Sequence, residues 1–363
     1  NVQSQLSQVI GIPANKFNID VRRLGGGFGG KIRYATDLAC AAGVAANKLK
    51  RPIRMVLDLK TNMEVFGKRL PFIAKYKACV LVSEGKLQRL SIKYYCDCGS
   101  TTVEETATDA TMFAQNVYNI PSWEFTAHSV KTDTAPNSYC RAPGSTQGHN
   151  ITEIIMDCLA QKIGMDPLKF RTNNFLKKGD NLIGSMVSEA LEEVNPLPGI
   201  LSSLLASSEY DKRNSALKNF NKENKWRKKG LSVVPCKYEI VYPEPEPYNC
   251  HISIYAHDGS VSVSHGGIEM GQGINTKVAQ TVAKELGVPK LSFISVKPTN
   301  NLISPNAGTT GGSIASELVC WGASLASKQL RAKMEEIAPT ASSWSEMVRE
   351  GYNKNLDLTS RHA

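Results

Sequence analysis

Three glycine-rich stretches carry the chemistry that residue types alone can suggest. Gly25-Gly26-Gly27-Phe28-Gly29-Gly30-Lys31, Gly266-Gly267-Ile268-Glu269-Met270-Gly271-Gln272-Gly273 and Gly308-Thr309-Thr310-Gly311-Gly312-Ser313 each precede a predicted helix. Glycine lets main-chain N–H groups approach a ligand closely, and a helix N-terminus favours negative charge. Together they predict an anionic, phosphate-bearing ligand held mainly by backbone. Two common phosphate loops are excluded. Gly25–Lys31 fits G-x-x-x-x-G-K, but Ile32 stands where magnesium needs Ser or Thr. Gly25–Gly30 fits G-x-G-x-x-G, but no convincing second βα unit or acidic ribose-binding residue follows. Cysteine chemistry is not indicated. The nine cysteines are odd in number and irregularly spaced, which predicts free thiols in a reducing compartment, and Cys96-x-Cys98 lacks zinc-site spacing. The six histidines, His265 included, read as structural.

Around these loops the chain reads as mixed helix and strand. Its 363 residues suggest about two domains. With 41% apolar and 21% charged residues it is not a disordered chain. No apolar run of about 18 residues occurs, so no membrane span is expected. There is neither a secretory leader nor an initiator Met, and the chain reads as a piece of a longer protein. Alternation predicts a strand over Phe17–Arg22, and another strand is expected over Ile53–Leu57, with an Ala-rich helix, Thr36–Lys48, between them. Hairpins are predicted around Glu84-Gly85 and Asp258-Gly259. Helices are predicted over Ile151–Ile163, Thr276–Leu286 and Ala315–Arg331. The net charge of +10 owes much to Lys212–Lys229, expected to be a solvated helix or linker and not a nucleic-acid surface. The expected organisation is a first domain over 1–205, a basic linker or helix over 206–229 and a second domain over 230–363. A weak echo links Gln8–Pro13 and its following strand to Lys284–Pro289 and strand Leu291–Val296. Each strand leads to a glycine loop, as two related halves would.

The ordered set of motifs resembles the molybdenum hydroxylases, the xanthine dehydrogenase and aldehyde oxidase family. Arg23–Lys31 is similar to one signature. Tyr139-Cys140-Arg141-Ala142-Pro143-Gly144-Ser145-Thr146-Gln147-Gly148 resembles a second, and His265–Gly273 nearly repeats a third. Thr310–Ser316 takes the place of a further cofactor loop. The resemblance implies an α+β fold of two elongated mixed α/β molybdopterin-binding domains with the cofactor between them. It implies molybdenum–molybdopterin here, and 2Fe-2S clusters and FAD elsewhere in the full-length protein. Gly26, Gly27, Phe28, Gly29, Arg141, Met270, Gly271, Gln272, Gly312 and Ser313 would bind the cofactor. Phe28, Arg141 and Gly312 would surround the molybdenum without ligating it by a side chain. Arg141 would act electrostatically in catalysis. The family's general base, a glutamate in G-x-G-E, is expected beyond Ala363, and Glu269 is expected to be structural. The implied reaction is hydroxylation of a carbon with oxygen from water, in a cytoplasmic homodimer without nucleic-acid or membrane partners.

The substrate branch rests on three positions. Where purine-oxidising members carry a carboxylate after Gly-Gly-Lys, this chain has Ile32. Asp109 matches the position of a second purine contact, an Arg. Pro143 replaces a stacking Phe. A site without its hydrogen-bonding groups loses its reason to bind a polar purine. The expected substrate is therefore a small aldehyde, oxidised to its acid. The alternatives are a purine hydroxylase of the xanthine dehydrogenase type and a catalytically inactive homologue that binds cofactor.

Overall fold

The computed structural model describes residues 1–65, 68–183, 195–238 and 248–362. It divides into two compact units, one formed by Asn1–Asn62 with Ile240–Ala363, the other by Met63–Glu239. The division by packing thus puts the first 62 residues with the C-terminal third, unlike the sequential division expected above.

The first unit is built on a four-stranded sheet of β5 (Cys250–Ile254), β6 (Val261–His265), β7 (Ile294–Val296) and β9 (Thr359–His362), in the order β7-β6-β5-β9. β5 and β6 form the antiparallel hairpin expected around Asp258-Gly259. Cys250, Ile252 and Ile254 alternate inward on β5, as a strand with one covered face requires. α9 (Ile274–Leu286) crosses over from β6 to the parallel β7 (Ile294–Val296). Its Ile274, Val278, Val282 and Leu286 repeat every four residues and are fully buried. α10 (Ala315–Ile337) packs beside it through Ala315, Val319, Ala323, Ala326, Leu330 and Met334. The small residues let the two helices and the sheet approach closely. α11 (Trp344–Asn353) is pinned to the hairpin turn by Trp344 Nε1, which donates to the Gly259 carbonyl at 2.9 Å, and β9 (Thr359–His362) closes the sheet against β5.

The sequence echo has a structural counterpart in this unit. α1 (Val2–Ile10) ends at Gly11, and α9 ends at Gly287, both left-handed with φ of 74° and 72°. A proline and one turn of 3-10 helix follow each, then a strand: β1 (Asp20–Val21) and β7 respectively. The expected strand Phe17–Arg22 shrinks to two residues because side chains replace its ladder. Asn301 Oδ1 accepts from the Ile19 N–H at 2.6 Å, and Asn301 Nδ2 donates to the Phe17 carbonyl at 2.8 Å. α2 (Ala35–Leu49) matches the Ala-rich helix. Ile53–Leu57 is not a strand: no described residue pairs with it, and it runs exposed to α3 (Leu59–Val65).

In the second unit, β2 (Phe72–Leu81) and β3 (Lys86–Asp97) form the other expected hairpin, and β4 (Ser122–Val130) lies parallel to β3. α5 (Ser145–Ile163) begins six residues before the expected helix and buries Ile155, Met156, Leu159 and Ala160 over the sheet core, with α4 (Ala107–Met112) against it. α6 (Pro167–Asn173) carries Arg171, whose side chain is 1% exposed and bonds Glu153 of α5. The basic stretch is helical: α7 (Leu197–Ser207) and α8 (Tyr210–Glu223) precede a tail that folds back, with Lys229 Nζ 4.1 Å above the Phe220 ring. All nine cysteines are free, Cys96 and Cys98 lying buried with their sulfurs 3.9 Å apart.

Candidate functional site

Within the first unit the glycine-rich loops meet. β1 pairs antiparallel with β8 (Thr299–Asn300), and Thr299 Oγ1 donates to the Gly267 carbonyl. The Leu24 N–H donates to the Glu269 carbonyl at 2.9 Å, which fastens the chain entering loop 25–31 to loop 265–273. At Gly27 a Cβ would lie 2.9 Å from Met270 Sδ, so a side chain there would push the two loops apart. The third loop joins them: a Cβ on Gly266 would lie 2.6 Å from the Ala307 Cβ, and one on Gly311 would touch Ile32 Cδ1 at 4.0 Å. Tyr248 OH donates to the Thr309 carbonyl at 2.7 Å. The loops bearing Gly26, Gly27, Phe28, Gly29, Ile32, Met270, Gly271, Gln272, Gly312 and Ser313 therefore share one neighbourhood, although they span almost the whole sequence.

Three features of that neighbourhood fit a ligand. Phe28 and Ser313 hold φ of 52° and 64°, the left-handed region that costs a side-chain-bearing residue energy and concentrates at binding sites. Gly25 has an ordinary φ, and a Cβ built on it meets nothing within 4 Å, so no neighbour in the chain demands glycine there. Its main chain is open to an incoming group. The buried Asn249 Oδ1, beside Gly266, accepts no hydrogen bond among the described residues. Phe28 itself is 64% exposed, its ring folded over Gly26. Among the described residues no group of three His, Cys, Asp or Glu side chains is placed to hold a metal ion directly.

One expectation is corrected. The N-terminus of α9 does not stand open to a ligand anion, because Glu269 already fills it. Its Oε1 accepts from the N–H groups of Gly271 and Gly273 at 2.8 and 3.3 Å, and its Oε2 accepts from Asn275 at 3.2 Å. Gln272 is also turned back on its own loop, accepting from the Met270 N–H at 2.8 Å and donating to the Ile268 carbonyl at 2.9 Å. His265 completes the brace: Nε2 bonds Asn275 Oδ1 at 2.9 Å and Nδ1 accepts from the Gly267 N–H at 3.2 Å. Burial lowers the His265 pKa, although Asn275 and Glu269 act against it.

The Glu269 carboxyl titrates below its ordinary value. Partial burial acts to raise it, but the N–H groups of Gly271, Asn275 and Gly273 and the charge of Arg23 outweigh that. A carboxyl lowered on folding contributes stability above its unfolded pKa of about 4.3. That contribution is lost as the pH falls through the folded value. Glu269→Gln is therefore expected to lower the melting temperature at pH 7, with the gap to wild type closing below about pH 4. Paired thermal melts across that range check it; a gap independent of pH would remove the carboxylate from the cap.

The second unit holds Arg141, Pro143 and Asp109. Arg141 is exposed and lies in a loop whose Ala142 has φ of 55°. Gly144, the N-cap of α5, has φ of 70°, and a Cβ there would fall 2.2 Å from the Asp109 Cβ. Asp109 is thereby packed against the turn that follows Arg141 and Pro143. Burial, then repulsion from Glu105, raises its pKa. Sequence reasoning missed the cap made by Glu269, the open acceptor of Asn249, and Arg69, whose Nη2 donates to the Arg141 carbonyl at 2.9 Å. The sequence marks Glu269 as structural but does not show the three N–H groups that it caps. The others carry no signal in a single sequence.

The family description "Molybdopterin cofactor-binding domain" matches residues 1–175, and a second domain of the same description matches 203–362. The chain is 32% identical over 365 residues to aldehyde oxidase 3 of Mus musculus, covering 98% of the chain and 27% of that protein. It is also 32% identical over 362 residues to xanthine dehydrogenase/oxidase of Gallus gallus, covering 98% and 26%. The chain thus spans about a quarter of the length of these curated relatives. Among solved structures, Cu,Mo-CO dehydrogenase shares the fold with a TM-score of 0.82 at 19% identity, over 99% of this chain and 51% of that one. Aldehyde oxidoreductase from Desulfovibrio gigas does so with 0.78 at 20%, over 99% and 38%. The two domain matches and 32% identity over nearly the whole chain place it among the molybdenum hydroxylases, as a pair of molybdopterin cofactor-binding domains.

Proposed function

We propose that these domains serve an oxidoreductase that hydroxylates small aldehydes to carboxylic acids with oxygen taken from water. The bound molybdenum–molybdopterin supplies the redox centre, and electrons pass to 2Fe-2S and FAD centres held outside these residues. Gly26, Gly27, Phe28, Gly29, Gly312 and Ser313 hold the cofactor largely by main chain, while Met270, Gly271 and Gln272 border it, the N–H groups of Met270 and Gly271 being taken by Gln272 and Glu269. Arg141 supplies a fixed positive charge where negative charge grows on the substrate oxygen. The catalytic general base is a glutamate outside residues 1–363. The working protein is a cytoplasmic homodimer, with domains over 1–205 and 230–363 joined by the basic stretch 206–229.

Identity of 32% to both an aldehyde oxidase and a xanthine dehydrogenase does not choose between their substrates. Ile32 carries the choice: it sets an apolar side chain beside Gly311, among the glycine loops, where a polar ring would need a partner. Asp109 supports it, standing where the purine-oxidising branch carries an Arg; burial and then Glu105 raise its pKa, so charge is costly there. Pro143 offers no ring for stacking.

The test uses the full-length enzyme and the ratio of its rates on benzaldehyde and hypoxanthine. Ile32→Glu is expected to lower benzaldehyde turnover roughly tenfold or more, since an apolar aldehyde leaves the carboxylate unpaired. Hypoxanthine turnover is expected to be highest in the double variant Ile32→Glu/Asp109→Arg, which restores both charged residues that the purine-oxidising branch carries. A ratio unchanged in both single variants and the double variant would mean that neither residue faces substrate, and the aldehyde assignment would fall.

A further inference from the structure

We infer that Arg69 is a positioning residue for Arg141, and that the segment Lys68-Arg69-Leu70 is a clasp on the Arg141 loop. The inference rests on the proposed role of Arg141.

The loop needs a clasp. Ala142 sits in the left-handed region with φ of 55°, two residues before Gly144 at 70°. A strained non-glycine residue persists only where its surroundings over-determine it. Segment 68–70 grips the loop on both sides. Before it, Ser138 pairs with Arg69 in a β-bridge, and the Ser138 N–H donates to the Lys68 carbonyl at 2.9 Å. Ser138 Oγ is held in turn by Glu104 Oε2 at 2.7 Å. After it, Gln147 Nε2 donates to the Leu70 carbonyl at 3.2 Å. Between the two, Arg69 Nη2 donates to the Arg141 carbonyl itself at 2.9 Å.

The clasp is rigid. Leu70 is 2% exposed and packs with Cys96, Cys98 and Ala107 in a small core of its own. The next residue, Pro71, accepts from the Asp97 N–H at 2.9 Å at the mouth of the β2–β3 hairpin. Arg69 is not committed elsewhere: among the described residues no carboxylate pairs with it, and its buried Nη1 has no partner. A guanidinium presents its donors in a fixed planar fork, so lysine cannot reproduce the grip. Misplacing a catalytic charge by about 1 Å costs up to roughly a hundredfold in rate.

The experiment compares the full-length holoenzyme with Arg69→Lys, Arg69→Ala, Arg141→Ala and the double variant Arg69→Lys/Arg141→Ala. We expect Arg69→Lys to lower kcat about tenfold or more while KM and molybdenum content stay near wild type. Hydrogen exchange at the amides of Ser145 and Thr146, which bond back to Pro143 and Ala142, should quicken. Guanidinium ion added to Arg69→Ala should restore part of its kcat. In the Arg141→Ala background, Arg69→Lys should cost nothing further. Unchanged kcat with unchanged exchange would overturn the clasp, and so would a full additive loss in the double variant. Global unfolding of both Arg69 variants, with exchange quickened throughout the second unit, would count against a positioning role. Wild-type turnover in Arg141→Ala would instead sink the proposed role of Arg141, while local quickening in Arg69→Lys would still report the grip.

Discussion

Arg171→Met should destabilise the protein by about 3–5 kcal/mol, as expected when one partner of a buried ion pair is removed. Arg171 Nε meets Glu153 Oε2 at 2.7 Å, with side-chain exposures of 1% and 7%. Nη1 reaches Asp157 at 2.8 Å, and Nη2 donates to the Glu153 carbonyl at 3.3 Å. Burial alone would ease Arg171 toward losing its proton, but Asp157 and Glu153 hold it more firmly protonated than usual. The other carboxylate oxygen of Glu153 accepts from Asn116 Nδ2 and Tyr118 OH, each at 2.7 Å. Asn116 in turn holds the segment after α8, donating to the Pro235 carbonyl at 2.9 Å and accepting from the Lys237 N–H at 3.1 Å. Arg171→Met strands the carboxylate among these groups. Adding Glu153→Gln should recover part of the loss, since the amide oxygen still accepts from Asn116 and Tyr118 without a charge to compensate. Chemical denaturation of both single variants and the double variant measures the coupling. A double variant no more stable than Arg171→Met would show that the cost comes from lost packing and not from a stranded charge.

Arg141→Ala in the full-length enzyme should lower kcat by roughly a hundredfold or more, about 3 kcal/mol of barrier, with molybdenum content unchanged. A preorganised charge is most effective where charge develops in the transition state and no solvent must reorganise. The local structure suits such a role. The main chain of Arg141 is gripped at the carbonyl, which fixes where its charge is presented. Because the charge would act on the developing oxyanion more than on the neutral aldehyde, kcat and kcat/KM should fall together. A rise in KM alone would assign Arg141 to ground-state binding, and wild-type turnover at normal molybdenum content would remove it from the site.

Much of the local architecture was legible in the sequence because it is written in short-range patterns. The Asp258-Gly259 turn between alternating strands gave β5 and β6, and the four-residue repeat from Ile274 to Leu286 gave α9. The glycine loops were legible as a set, and they do converge within the first unit. What escaped was decided at long range. Ile53–Leu57 is as apolar as a short strand, but no partner strand among the described residues reaches it. The pairing of residues 17–21 with 299–301 depends on the Asn301 side chain, and an asparagine in a polar stretch announces nothing. Glu269 illustrates the same limit at the site. The sequence marks it as structural, but only the folded loop shows the three N–H groups presented to it.

The first unit is made from the two ends of the chain, and that has a consequence for biosynthesis. Val21 pairs with Thr299, so the first strand of its ladder leaves the ribosome nearly 280 residues before its partner. At about 5–20 residues per second, that interval is roughly 14–56 s. Through it α1 and α2 can pack against each other. The second unit, contiguous in sequence, can close while they wait. Loop 25–31 gains its neighbours only after Ser313 has been made, so the cofactor cradle cannot form during early synthesis. Molybdopterin binding to that cradle would then wait on the meeting of Asn1–Asn62 with Ile240–Ala363.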